Sequence, residues 1–222
     1  MTLDNCCLHA IDTYGKNNPF DIELTLIKLE EILSSGYILS KKHIKNTNKR
    51  YAGWNGMDYI SLCDYSRKNN SPYNNDENYK DYTSFEIYIR DSLSFIFSKD
   101  DIKTIDTVLK PPLEYNLKSI SEMIELGNHP TKRFSDYPDE VQVKNKISLK
   151  KAMGITIPID RLIDEDCNYT YSREQIIKFL NNTKELLHDY KMRKPIFDLL
   201  TMTEIKEDSD LEKVFTKLKD IN

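Results

Sequence analysis

The apolar residues of this chain come in short runs, and that limits what it can fold into. "CCLHAI" (6–11), "MDYISLC" (57–63), "SLSFIFS" (92–98), "DEVQVKNKI" (139–147) and "AMGITIPI" (152–159) are each about the length of one strand. In "MDYISLC", Ile60 and Leu62 share one face while Tyr59, Ser61 and Cys63 share the other. "DEVQVKNKI" sets Val141 and Val143 against Glu140, Gln142 and Lys144 in the same way. Alternation of this kind predicts strands with one buried and one polar face. "AMGITIPI" is apolar throughout and suits a more central strand.

Between these runs the period changes. In "PFDIELTLIKLEEILSSGYILS", Ile22, Leu26, Leu29 and Leu33 recur at helical spacing, and Gly36 stands where a left-handed cap ends a helix. "KDDIKTIDTVL" (99–109) reads as a turn and short helix, and "NLKSISEMIELG" (116–127) as another short helix. Residues 64–83, "DYSRKNNSPYNNDENYKDYT", lack the aliphatic side chains a core needs and read as a long tyrosine- and asparagine-rich loop. Ser172 and Gln175 stand in capping-box spacing ahead of Ile176, Leu180 and Leu187, predicting a longer helix. After Pro195, "IFDLLTMTEI" and "SDLEKVFTKLKDI" read as two further short helices. The expected architecture is α+β: residues 1–165 as the main domain and 172–222 as a helical C-terminal appendage.

Composition narrows the function. Lys+Arg 32 against Asp+Glu 36 gives a net charge of −4, so the chain as a whole does not attract phosphate polymers, although local patches are compatible with such binding. Its four cysteines, Cys6, Cys7, Cys63 and Cys167, form neither a C-x-x-C pair nor a zinc-ligand spacing, and a reducing cytoplasm fits them best. The N-terminus lacks the basic and apolar regions of a secretory signal, so no membrane association is expected. Walker, dinucleotide, zincin and nucleophile-elbow signatures are absent, and with six glycines phosphate cradles are scarce. What remains is an ordered set of polar residues on strand candidates: His9 in the first, Ser61 with Tyr59 in the second, and Glu140 opening a later one.

That set, carried by "LHAID" followed by "KLEEILSSGYILS", by "NGMDYISLCDYSRKN" and by "YPDEVQVKNKISLKKAMGITIP", resembles the ADP-ribosyltransferase superfamily, and the last segment most resembles the DarT-type toxins. The resemblance spans roughly residues 7–158. It implies a split, mixed or antiparallel β-sheet core with peripheral helices, in which a first-strand His, a mid-domain Ser or Tyr and a late-strand Glu meet in a cleft for NAD. On that reading His9 would bond a ribose hydroxyl and the Ala10 backbone would take the nicotinamide carboxamide. Ser61 would orient Glu140, the catalytic carboxylate, and Tyr59 or Tyr65 would stack on the nicotinamide. Arg67 or Arg90 would meet the pyrophosphate.

The loop "HPTKRFSDYPD" would face the acceptor, a nucleic acid or a protein, with His129, Lys132, Arg133, Phe134 and Tyr137. Pro138 stands where arginine-modifying relatives often carry Glu or Gln, a departure from their pattern. The implied activity is NAD-dependent mono-ADP-ribosyl transfer without a metal, in a bacterial toxin, defence protein or effector open to docking by an antitoxin. An NAD glycohydrolase, or a non-catalytic module binding a nucleotide or a partner, is the alternative. Each residue also has a plainer reading: a lone strand histidine is more often a hydrogen-bonded structural residue, and a strand glutamate is more often simply solvated.

Overall fold

The structure, a computed structural model, describes residues 2–11, 20–40, 59–65, 89–90, 92–103, 107–109, 140–144, 146–163 and 171–221. In chain order the described elements are β1 (Cys6–Ala10), α1 (Ile22–Ser35), β2 (Tyr37–Leu39), β3 (Tyr59–Asp64), β4 (Ser94–Ser98) and α2 (Lys99–Lys103). There follow β5 (Thr107–Leu109), β6 (Glu140–Lys144), β7 (Lys146–Ser148), a 3₁₀ turn (Leu149–Lys151), β8 (Ala152–Ile157) and α3 (Ile159–Ile163). The last are α4 (Arg173–Asp189), β9 (Ile196–Asp198) and α5 (Asp208–Ile221). Seven strands form one sheet in the order β5-β6-β3-β1-β4-β8-β9, and β2 pairs with β7 in a small second sheet. All ladders of the large sheet are antiparallel except β8–β9, so the sheet is mixed.

The periodic elements form for the reasons their sequences give. Asp21 caps α1 by accepting from the Leu24 N–H at 2.9 Å, and Gly36 ends the helix at φ 68°. At that φ a Cβ is strained, so glycine is the residue that lets the chain turn directly into β2. Ser172 and Gln175 form a reciprocal capping box at the start of α4. Alternation sorts the sheet's side chains into two layers. Cys7, Ile60, Leu62, Phe95, Phe97, Val143 and Ile155 lie under the helices, in one cluster with Leu29 and Leu33 of α1, Phe179 of α4 and Val214 of α5. Leu8, Cys63 and Ile96 face the other way, with Leu3, Ile89, Phe197 and Leu199. Among the described residues no helix is long and apolar enough to cross a membrane.

Two stretches differ from the expectation. Residues 107–109 of "KDDIKTIDTVL" are a strand on β6 rather than part of a helix. "IFDLLTMTEI" is not helical either: Ile196–Asp198 is a strand parallel to β8, and the chain then turns so that Phe197 bridges Glu204. Nonlocal pairing outweighs the helix-like spacing of the leucines. Gly154 is part of the reason. A Cβ there would stand 2.8 Å from the Pro195 carbonyl oxygen, which accepts from the Ile155 N–H at 3.0 Å, so a side chain would push the β9 segment off the sheet. The segment expected as a helical appendage, 172–222, thus supplies a strand to the main sheet and buried side chains to its core. The predicted helix at 116–127 and most of the predicted loop at 64–83 lie outside the described residues.

Asp198 ties this closing segment together. Its fully buried carboxylate accepts from the Ile159 N–H at 3.2 Å, at the start of α3, and from the Thr201 N–H at 2.7 Å. Burial pushes its carboxyl above the ordinary range, opposed by the N–H donors it accepts. Burial and then the charge of Asp198 raise Asp160 as well. The folded state therefore holds protons on this pair above about pH 4, where the unfolded chain has released them, so the pair's contribution to stability falls as pH rises through the raised folded values. Asp198→Asn is expected to flatten that decline in thermal melts run from pH 4 upward. It should also lower stability by about 1–3 kcal/mol, because an amide nitrogen then faces a backbone donor. A variant with the wild-type pH profile would show that these carboxyls do not set it.

Candidate functional site

The three strands that carry His9, Ser61 and Glu140 are immediate neighbours, in the order β6-β3-β1. Between β3 and β6 the ladder is continuous from Tyr59↔Lys144 to Cys63↔Glu140. Between β1 and β3 it consists of Cys7↔Asp64 and Leu8↔Cys63, whereas β1 stays paired with β4 as far as Ala10↔Ser94. The sheet therefore opens between β1 and β3 after Leu8.

Side-chain chemistry explains where it opens. Continued by two residues, the β1–β3 ladder would pair Ala10 with Ser61, and the Ser61 carbonyl would accept from the Ala10 N–H. Instead that carbonyl lies 2.9 Å from Nδ1 of His9. A carbonyl oxygen only accepts, so Nδ1 carries the proton and, in the neutral ring, Nε2 is the acceptor nitrogen. The imidazole thus reaches the carbonyl that a continued ladder would pair with Ala10. The Ile11 N–H bonds Leu93 O at 2.8 Å on the β4 side, so by strand alternation the N–H and C=O of Ala10 point the other way, into the opening. His9, Ala10 and Ser61 are each partly exposed there.

Glu140 lies in the cross-strand row Leu8–Cys63–Glu140, two strands and roughly 10 Å from β1. His9 belongs to the neighbouring row, with Phe95, on the other side of the pleat. In an unbroken sheet those two positions would serve opposite faces. Ser61 contributes its main-chain oxygen to this arrangement, a role that reasoning from residue type assigned to its hydroxyl.

The remaining expected site residues divide. The backbone of Tyr59 is at the open end of β3. Tyr65 is at the paired end, packed against the cluster that includes Cys6, Leu8 and Cys63. Arg90 is exposed, on a helical stretch ahead of β4. Arg67, His129, Lys132, Arg133, Phe134, Tyr137 and Pro138 lie outside the described residues. Cys6, Cys7 and Cys63 are buried in the core, and burial followed by the charge of Asp4 raises the Cys6 thiol. Among the described residues no group of three His, Cys, Asp or Glu side chains is placed to hold a metal. The pair that reasoning from sequence missed is Asp64 with Lys99, 2.8 Å apart across the paired end of the same strands.

No protein-family model matches the chain, and comparison with curated proteins and with solved structures finds no significant match.

If the imidazole holds the opening, His9→Phe, which keeps a ring and removes the donor, should destabilise the protein by about 1–3 kcal/mol in urea denaturation. Unchanged stability would mean that the strands part for another reason.

Proposed function

We propose that the chain is an NAD-dependent mono-ADP-ribosyltransferase acting on a macromolecule, and that its groove is the opening between β1 and β3. The observation that carries this reading is the bond of His9 to the Ser61 carbonyl, next to Ala10, whose N–H and C=O face that side of β1 by strand alternation. One N–H and one C=O side by side complement a primary carboxamide such as that of nicotinamide, so these residues fit the substrate's reactive end. The sequence resemblance supplies the rest: a His, a Ser or Tyr, and a Glu on three strands, which here adjoin.

In this reaction the bond between the ribose and nicotinamide breaks, its electron pair leaves with nicotinamide, and an acceptor nucleophile bonds to the same carbon and gives up its proton. Positive charge builds on the sugar as the bond breaks. A fixed carboxylate at position 140 would stabilise that charge more than it stabilises the ground state, which lowers the barrier. His9 and Ala10 would hold the sugar and the carboxamide so that the breaking bond lies toward β6.

The test uses NAD labelled in its adenylate half, incubated with the full-length protein and a cell lysate. Label is expected on a macromolecule, and its sensitivity to protease or nuclease names the acceptor class. Glu140→Gln should slow labelling by about 10² or more while the fold is retained. Free ADP-ribose as the main product would make the protein a glycohydrolase. Failure of the wild type to consume NAD would overturn the proposal, and undiminished labelling by Glu140→Gln would remove that residue from it.

A further inference from the structure

The buried ion pair at the other end of the β1–β3 junction has no part in the chemistry above. Asp64, the last residue of β3, is 4% exposed, and its carboxylate lies 2.8 Å from Nζ of Lys99. Lys99 follows β4 directly, and β4 is on the far side of β1 from β3. Its backbone N–H also bonds Asn5 O at 2.9 Å, just ahead of β1. The lysine side chain therefore crosses β1 and ties β4 to β3.

Its place matters because so little else joins those strands. The β1–β3 ladder is Cys7↔Asp64 and Leu8↔Cys63, and His9 comes next. Two register pairs are a weak constraint on the angle at which two strands diverge. A charged clamp across β1 beside the first pair fixes that angle, and the angle sets where the Ser61 carbonyl stands relative to the imidazole. We infer that Asp64 and Lys99 are positioning residues: they hold β3 at the divergence that keeps His9 bonded to Ser61 and the Ala10 backbone turned into the opening. The consequence for ligand binding rests on the NAD reading; the consequence for His9 does not.

Removing Lys99 alone takes this cation from a carboxylate that is 4% exposed, so the double variant Asp64→Asn/Lys99→Met is the informative one. The readout is the imidazole ¹⁵N spectrum of the full chain, with the His9 signal assigned by its loss in His9→Phe. In the wild type, His9 should show the pattern of a ring protonated at Nδ1. In the folded double variant the two nitrogen signals should move toward the average of exchanging tautomers, and the dissociation constant for NAD should rise about tenfold. Asp64→Asn alone, which removes the ion pair and leaves the partly exposed Lys99 to solvent, is read in the same way should the double variant not fold. An unchanged His9 pattern in a folded variant overturns the inference and makes the pair a plain structural staple. A shifted pattern in a protein whose wild type does not bind NAD upholds the positioning role and discards the cofactor reading instead.

Discussion

A hydrogen bond from an imidazole to a main-chain carbonyl, His9 to Ser61, decides how this sheet is put together. Strand pairing is ordinarily cooperative: once two strands are in register, the next rung forms because both of its polar groups are already aimed. Here a side chain reaches that rung first. The carbonyl is satisfied, so burying it carries no penalty, and by strand alternation the Ala10 N–H faces the same side of β1. The β1–β3 register ends two residues before the β1–β4 register does, at the histidine.

The rest of the fold supplies stiffness around the gap. β1 remains bound to β4, β3 remains bound to β6, and the helices bury their apolar stripes against one side of both halves. Because Phe95, Leu62 and Phe179 belong to one continuous cluster, the two halves of the sheet do not move independently on that side. The strands part at one end without the core parting with them.

Much of this was legible in the sequence wherever one residue's neighbours in the chain are also its neighbours in space. Gly36 ends α1 because the left-handed conformation is a local demand, and Ser172 with Gln175 opens α4 for the same reason. The alternation of Ile60 and Leu62 against Ser61 and Cys63 foretold which side of β3 would meet the helices. β9 was hidden because its conformation is set by β8 and by room beside Gly154, which no local period reports. The histidine could be singled out as unusual for a strand; that its partner is a carbonyl could not, since main-chain acceptors look alike at every position. Asp64 and Lys99 are ordinary residues far apart in the chain, and their pairing becomes visible once β4 and β3 are known to flank β1.

The parallel strand β9 gives the molecule a particular history during synthesis. It borders β8 but follows α4 in the chain, so the sheet is complete after the ribosome has passed residue 198. Until then Phe95, Ile155 and their neighbours lack the cover that α4 and α5 provide. A nascent chain therefore carries the His9 segment long before it carries α4, β9 and α5, which complete the sheet and cover its core.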